Sequence, residues 1–257
     1  MRAACCEATV LRNEVIAPDI RLLTVVWPDH DRAPHAGQFF TLRAWGADEA
    51  PFLSRPISVH RWNPESSTIE FLYQVVGEGT EKIAQLKMKD KFQLTGPMGN
   101  GFDVPDIVSK YKKIAVVGGG IGTAPMFQLT RELAAAGVKP DVFFGFRDAP
   151  YCMEEYRPIA NFVKVSTDTG AVGFHGFVTQ LYDPADYDVV LVCGPTVMMR
   201  NAARLCAEKG TPCIVSMEKK MACGIGACLG CTCETRSGEG KSVCKNGPVF
   251  NATEVFF

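Results

Sequence analysis

Lys112–Met126 reads KKIAVVGGGIGTAPM: an apolar run of strand length, then a glycine-rich turn, then the start of an apolar helix predicted over Ala124–Ala136. A second predicted strand follows at Asp141–Phe146. Further segments continue the alternation: Asn161–Ser166, Thr179–Leu181, Val189–Val192, Thr196–Lys209 and Cys213–Met217. Strands and helices in turn predict a doubly wound parallel sheet with crossover helices. We assign this α/β domain to residues 109–216.

The glycine-rich turn is a candidate dinucleotide site. Glycine lets a backbone approach a pyrophosphate, and the N-terminus of the following helix favours its negative charge. A tight turn that binds no ligand is the alternative, because proline stands where the third glycine of the usual motif would be. The candidate cofactor-binding residues here are Gly118, Gly120, Gly122, Thr123 and Pro125.

A second candidate in this domain follows the predicted strand Val189–Val192, where the chain reads Cys193-Gly194-Pro195. Ligands of open α/β sheets bind at the carboxyl ends of the strands, so Cys193 is predicted to face the cleft. The alternative is a buried cysteine that merely closes a strand.

Residues 1–108 are predicted to be rich in β-structure. Short β-branched and apolar segments are separated by turn residues and interrupted by one predicted helix at Thr80–Lys87, and they predict an antiparallel barrel or sandwich. The predicted strands are Ala8–Val15, Ile20–Trp27, Phe39–Ala44, Ile57–Arg61, Thr68–Val75 and Lys91–Leu94.

Two motifs in this β-rich domain suit a phosphate-containing ligand. In Arg55-Pro56-Ile57-Ser58 the guanidinium could clamp a diphosphate, although a lone arginine is more often an ordinary surface residue. In the run from Tyr73 to Thr80, two glycines precede Thr80, which is predicted to be the N-cap of the helix.

The run Met221–Glu234 reads MACGIGACLGCTCE, and a further cysteine follows at position 244. The C-x4-C-x2-C spacing of Cys223, Cys228 and Cys231, with Cys244 beyond it, is typical of a plant-type [2Fe–2S] site. Small residues between the ligands allow the chain to wrap tightly around a cluster. Cys233 is interpreted as a packing cysteine and not as a ligand. A zinc site and a set of buried free thiols remain the alternatives.

Composition limits the class of protein. The 257 residues allow two domains and a small appendage, placed at residues 217–257, which is too short to build its own core and is predicted to fold around the metal. With 47% hydrophobic residues, 21% charged residues and a net charge of −1, the chain is predicted to be a globular protein that binds no nucleic acid. It lacks an apolar run of membrane-spanning length and a signal-peptide core, so we expect a cytoplasmic protein.

The motifs, taken in this order, resemble those of the ferredoxin–NADP reductase superfamily and, within it, the electron-transfer subunits of dihydroorotate dehydrogenase B. The resemblance implies an FAD-binding barrel, a nicotinamide-binding domain and a C-terminal [2Fe–2S] domain held by the four cysteines. It implies that Arg55 meets the FAD pyrophosphate and that Ser58 lies near the flavin ring. The other implied FAD contacts are Leu72, Tyr73 and Gln74 along the flavin and ribityl chain, and Gly79 and Thr80 at the diphosphate.

The resemblance also implies the reaction. NADH delivers hydride to FAD, and single electrons pass through the cluster to a partner, implied to be an FMN-containing TIM-barrel dihydroorotate dehydrogenase of pyrimidine biosynthesis in a heterotetramer. No side chain is expected to act as a general acid or base. Two alternatives stay open: an equivalent subunit of a hydrogenase or of ferredoxin:NADP oxidoreductase, whose cluster pattern includes an aspartate, and a redox sensor without turnover.

Asp168 bears on the choice of nicotinamide nucleotide. The 2′-phosphate of NADPH requires a basic pocket past the second strand of such a domain, whereas an aspartate repels that phosphate and can bond a ribose hydroxyl. We therefore expect NADH as the substrate, although Arg147 lies close enough in sequence to offer a basic alternative.

Overall fold

The computed structural model describes residues 3–256 and begins with a seven-stranded antiparallel sheet. Its strand order is β4-β3-β7-β1-β2-β6-β5, and β4 approaches β6, so that the sheet curls into a barrel that stays open between β4 and β5. The elements are β1 Ala4–Ala17, β2 Ile20–Val26, β3 Phe39–Arg43, β4 Arg55–Ser58, β5 Arg61–Asn63, β6 Thr68–Gln74, α1 Glu78–Ala84 and β7 Lys91–Met98.

Aromatic side chains fill the barrel. The ring of Phe40 meets Trp27 edge-on at 5.0 Å between centroids and Phe71 at 5.6 Å, and all three rings are fully buried. Alternate residues of the strands point inward, because successive side chains of a strand face opposite sides of the sheet. The predicted strand Ile57–Arg61 is in fact two strands, β4 and β5, separated by Val59 and His60.

The second sheet is largely parallel and has helices packed against it. Its order is β11-β10-β9-β8-β12-β13-β16, so the strand order reverses between β8 and β12, where α/β folds bind their ligands. The elements are α2 Val104–Lys110, β8 Ile114–Gly119, α3 Ala124–Ala135, β9 Asp141–Phe146, β10 Phe162–Thr167, β11 Phe174–His175, β12 Val189–Cys193, α4 Thr196–Lys209 and β13 Cys213–Ser216. The predicted doubly wound α/β fold is confirmed.

Helix α2 was not predicted, although the sequence contains its start signal. The Asp103 side chain accepts a hydrogen bond from the Asp106 N–H at 3.0 Å, and Pro105 lies in the first turn. The helix packs Val104 and Ile107 against the core of the parallel sheet. The boundary expected at residue 108 therefore falls inside an element that belongs to the α/β side.

The C-terminal segment contains β14 Thr232–Glu234, β15 Gly240–Ser242, α5 Val243–Asn246, β16 Val249–Asn251 and α6 Ala252–Val255. Strand β16 pairs antiparallel with β13 and so extends the parallel sheet. Val243, Cys244 and Phe250 share one core with Val215 and Met199 of the α/β domain. The segment gains its apolar core by packing on the α/β domain, whereas the sequence predicted only that it folds around the metal.

Within residues 3–256, no helix combines the length and the apolar character that crossing a bilayer requires.

Candidate functional site

A cavity of 340 Å³ lies where the barrel, the parallel sheet and the C-terminal segment meet. Its lining includes most of the predicted FAD residues, together with Pro125 and Cys193 from the α/β domain and four residues before the cysteine run: Met217, Glu218, Lys219 and Met221. The predicted residues that line it are Arg55, Pro56, Ile57, Ser58, Leu72, Tyr73, Gln74, Thr80, Pro125 and Cys193. We call this space the central cavity.

Arg55 supplies positive charge to the central cavity. One guanidinium nitrogen donates to the Leu53 carbonyl, and the group lies 5.8 Å from the centre of the Trp45 ring. Among the described residues, no carboxylate forms an ion pair with it. Gly79 makes this position possible, because a Cβ there would collide with the guanidinium. An unpaired guanidinium fits a bound diphosphate.

Thr80 does not cap helix α1, and the predicted N-cap is wrong. The helix begins at Glu78 with Gly77 as its N-cap, so Thr80 is the third helical residue. Its hydroxyl accepts from the N–H groups of Val76 and Gly77 at 2.9 and 3.1 Å and donates to the Gly77 carbonyl at 2.8 Å. The Thr80 side chain therefore holds the strand-to-helix turn in shape from within the helix.

Tyr73 is buried in the wall of the central cavity, and its hydroxyl donates to Asn13 Oδ1 at 3.2 Å. Burial raises the pKa of Tyr73 to about 12, so the hydroxyl remains protonated. Asn13 in turn donates to the carbonyls of Ile83 and Leu86 at the end of α1, at 2.9 and 3.1 Å. Sequence reasoning missed Asn13, and no motif marks it.

The opposite wall of the cavity contains the glycine-rich turn and the end of β12, which touch. A Cβ at Gly122 would lie 2.5 Å from the Gly194 Cα and 2.6 Å from the Cys193 carbonyl oxygen, so only glycine allows this contact. Cys193 is buried, and burial raises the pKa of its thiol. Four predicted site residues do not line the central cavity and lie instead in the two segments that touch: Gly118, Gly122, Thr123 and Gly194.

A second cavity of 390 Å³ opens beside the glycine-rich turn and brings together Gly120, Asp168 and Pro195. Ser166 also lines it, and its buried hydroxyl has no hydrogen-bond partner among the described residues. Arg147 lines the same space while remaining largely exposed, with its guanidinium 3.7 Å from the Asp148 carboxylate. Polar groups beside apolar walls suit the adenosine end of a nucleotide.

The thiols of the cysteine run accept backbone N–H groups. Ala227 and Cys228 donate to Cys223 Sγ at 3.3 and 3.4 Å, and Gly226 donates to Cys244 Sγ at 3.1 Å. Although burial acts to raise the pKa of Cys223, hydrogen bonds from the N–H groups of residues 225, 227 and 228 and from the Cys228 thiol outweigh it and lower the pKa to about 6. Amides aimed at sulfur stabilise thiolates, the form that binds metal.

The four predicted ligands form two neighbouring pairs: the Cys228 N–H donates to Cys223 Sγ at 3.4 Å, and the Cys244 N–H donates to Cys231 Sγ at 3.4 Å. Within residues 3–256, no group of three or more potential ligands surrounds a point suited to one metal ion. A single zinc would need all four thiols at one point, whereas each iron of a two-iron cluster takes two. Two neighbouring pairs of thiols therefore fit a two-iron cluster.

Cys233 makes its hydrogen bond outside these pairs. Its buried thiol donates to the Lys241 carbonyl at 3.4 Å across the hairpin of β14 and β15. This bond occupies its one proton within the hairpin, in keeping with the interpretation that Cys233 is a packing residue.

Comparison with known proteins adds sequence relatives. Residues 218–256 match the family model of the iron–sulfur cluster binding domain of dihydroorotate dehydrogenase B. The chain is 46% identical over 219 residues to the dihydroorotate dehydrogenase B (NAD(+)) electron transfer subunit of Clostridium acetobutylicum, covering 85% of each chain. It is 38% identical over 256 residues to the subunit of the same name from Caldanaerobacter subterraneus subsp. tengcongensis, covering 98% of each.

Solved structures show the same architecture. The structure of an NADH-dependent reduced ferredoxin–NADP oxidoreductase, described for flavin-based electron bifurcation, superposes with a TM-score of 0.85 at 28% identity, covering 96% of this chain and 88% of that one. An Amycolatopsis cytochrome P450 reductase gives a TM-score of 0.68 at 21% identity, covering 80% of this chain and 66% of that one, and so shares the fold.

Proposed function

The chain belongs to the family of dihydroorotate dehydrogenase B electron transfer subunits, and we propose that it accepts electrons from NADH at a bound FAD and passes them through an iron–sulfur cluster to a catalytic partner. The central cavity carries this proposal, because one space is lined by all three parts of the chain. FAD exchanges electrons in pairs with NADH and singly with a cluster, and the protein's task is to position these groups.

We propose that FAD lies in the central cavity along β4 and β6. The unpaired guanidinium of Arg55 would hold the diphosphate beside Gly79 and Thr80. Ser58, with Pro56 and Ile57, would face the flavin ring, and the ribityl chain would follow Leu72, Tyr73 and Gln74. Burial of Leu72 and Tyr73 makes this wall dry, so water is kept from the reacting ring.

We propose that NADH spans the two cavities along the carboxyl end of β8. Its adenosine end would bind near Gly120, Asp168 and Pro195, and its nicotinamide end would reach the wall formed by Pro125 and Cys193. Gly118, Gly122, Thr123 and Gly194 would keep the turn close enough for this passage. The Asp168 carboxylate disfavours a 2′-phosphate, which supports NADH as the substrate.

We propose that Cys223, Cys228, Cys231 and Cys244 hold a [2Fe–2S] cluster, one thiol pair to each iron. The N–H groups of residues 226–228 would stabilise the thiolates and tune the cluster. We propose that residues 1–108 bind FAD, residues 109–216 the nicotinamide nucleotide and residues 217–257 the cluster, although the α2 residues before 109 pack on the α/β core.

We further propose a cytoplasmic complex in which the partner is an FMN-containing TIM-barrel dehydrogenase that oxidises dihydroorotate, assembled as a heterotetramer. The names of the relatives support such a partner. In this proposal, the dihydroorotate chemistry belongs to that partner, because the relatives are named electron transfer subunits.

A subunit of a ferredoxin–NADP oxidoreductase type of complex is the second candidate, favoured by the TM-score of 0.85. This chain has four cysteines where the second candidate's ligand set would include an aspartate. The four cysteines therefore favour a subunit of dihydroorotate dehydrogenase. A redox sensor without turnover would bind the same cofactors but would not react with either nicotinamide nucleotide.

The proposed function is tested by affinity purification of the chain from its own cells, followed by an assay of the recovered complex. We expect a co-purified flavoprotein and reduction of NAD+ that depends on dihydroorotate. Removal of the chain should abolish NAD+ reduction and leave dihydroorotate oxidation by an artificial acceptor. A complex that reduces ferredoxin and ignores dihydroorotate would favour the second candidate.

A further inference from the structure

Polar side chains of α3 bind the helix to backbone groups of the barrel, and we call this row of contacts the α3 seam. Glu132 accepts from the Ala36 N–H at 2.9 Å, while Gln128 accepts from the Trp62 N–H at 2.9 Å. Arg131 donates to the Trp62 carbonyl at 2.9 Å. These three contacts lie along the body of the helix and touch no residue of the central cavity.

His60 makes the remaining contact of the seam, at the N-terminal end of α3. Its Nδ1 lies 2.8 Å from the carbonyl oxygen of Ala124, and its ring stacks on Phe127 at 4.9 Å with 24° between the planes. The side chain is only 1% exposed. Ala124 lines the central cavity, and so does Ser58, two residues before His60.

His60 is held as a neutral imidazole. The carbonyl of Ala124 can only accept, so Nδ1 carries the proton. Burial lowers the pKa of His60 to about 4, assisted by the positive charges of Arg61 and Arg131, against the opposing effect of the bond to Ala124. At neutral pH both the proton and the ring position are therefore fixed.

We propose that His60 is a positioning residue that sets the separation between the two walls of the central cavity. It fixes the strand end that carries Ser58 against the first residue of α3, next to Pro125. This inference rests on the proposed function, in which the flavin lies on the first wall and the nicotinamide on the second. Hydride transfer requires near-contact between the nicotinamide carbon that gives the hydride and the flavin nitrogen that accepts it. A small change in the separation of the two walls therefore changes the rate strongly.

The test compares His60→Leu, which removes the donor, with His60→Asn, whose amide nitrogen occupies the position of Nδ1. Glu132→Ala is the matched control, since it breaks the seam away from the cavity. Should His60→Leu fail to fold, His60→Gln replaces it, because its amide lies one bond further out. FAD content and the visible spectrum are measured for each purified protein before any rate.

The first readout is hydrogen exchange in peptides that cover residues 118–130, which needs no turnover. We expect exchange at the start of α3 to rise about tenfold in His60→Leu, as local opening becomes easier, and to stay at the wild-type rate in His60→Asn. Unchanged exchange in His60→Leu would overturn the proposal, whether or not the protein reacts with NADH.

The second readout is the limiting rate of flavin reduction at saturating NADH. We expect about a tenfold loss in His60→Leu at full FAD content, recovery in His60→Asn and no loss in Glu132→Ala. A wild-type rate in His60→Leu would contradict the positioning role. Wild-type protein that is inert to NADH would instead refute the proposed function, while the exchange data would still decide the role of His60.

Discussion

Among single residues, Arg55 is the one whose proposed role depends most directly on charge, and that role was predicted from the sequence. The Arg55 guanidinium lies beside Gly79 of helix α1, and no carboxylate among the described residues pairs with it. Such a guanidinium is suited to a diphosphate. The motif around Arg55 could be predicted from the sequence because it consists of particular residue types in a fixed order.

Replacing Arg55 by alanine is expected to weaken FAD binding by about 1.5–3 kcal/mol, the contribution of a charge-assisted hydrogen bond. The dissociation constant of FAD, measured by fluorescence titration of the apoprotein, should rise accordingly. Arg12→Ala serves as the control, since that arginine is exposed, pairs with Glu14 and does not line the central cavity. Equal affinities of Arg55→Ala and wild type would exclude Arg55 from the site.

His60 and Asn13 were not predictable in the same way. Both act on backbone carbonyls of residues more than sixty positions away, Ala124 for His60 and Ile83 for Asn13. Any donor of the right length could serve there, so no residue pattern marks these positions until the fold brings the partners together.

The buried His60 also predicts how stability depends on pH. Its pKa is about 4 in the folded chain against 6.5 in the unfolded one, so between these values the unfolded state binds more protons. The contribution of His60 to the free energy of unfolding is therefore fully present above pH 6.5. It falls by about 3 kcal/mol as the pH drops toward 4. Denaturant melts of wild type and His60→Asn should diverge over this range, with the variant losing less. Parallel pH curves would contradict the neutral imidazole.

At the scale of elements, the sequence predicted most strands and helices but misjudged where some begin and what they join. The helix expected at Thr80 begins at Glu78 because the extended Gly77 ends the turn, and the threonine hydroxyl works from inside the helix. Strand β16 exists only because β13 offers it an edge, which local residue preferences do not reveal.

Helix α1 illustrates how one side chain holds an element. Asn13 satisfies two carbonyls at the end of α1 and also accepts from Tyr73. Asn13→Ala should lower the free energy of unfolding by about 1–3 kcal/mol, because both carbonyls lose the hydrogen bond that Asn13 donates. Tyr73→Phe should cost about 0.5–1.5 kcal/mol, since it removes one hydrogen bond and leaves α1 anchored. Urea melts measure both, and a larger loss in Tyr73→Phe would reverse the assigned roles.

For the cysteine loop, the spacing of the cysteines alone predicts the function. Cys228→Ser should abolish the visible spectrum of the cluster while NADH oxidation by two-electron acceptors persists, because hydride transfer precedes the cluster. Cys233→Ser is the control, since a serine hydroxyl can donate to the same Lys241 carbonyl. Equal loss of both activities in Cys228→Ser would refute this order of electron flow.

For the molecule as a whole, the fold class, the cofactor types and the family could be predicted, because glycine turns and cysteine spacing report chemistry directly. The shared core of the C-terminal segment and the α3 seam could not, since both depend on how separate parts pack. That packing matters for function, because it makes one cavity from three parts of the chain and places Met221, two residues before Cys223, in its lining.

The central claim is that electrons enter from NADH at the flavin and leave through the cluster. Anaerobic stopped-flow mixing of the oxidised protein with NADH tests it most directly, with flavin absorbance and the low-temperature paramagnetic signal of the cluster followed in time. We expect flavin absorbance to fall first and the cluster signal to grow afterwards, with NADPH reacting more slowly than NADH at equal concentration. A protein that contains both cofactors, is reduced by dithionite and yet does not react with NADH would contradict the account.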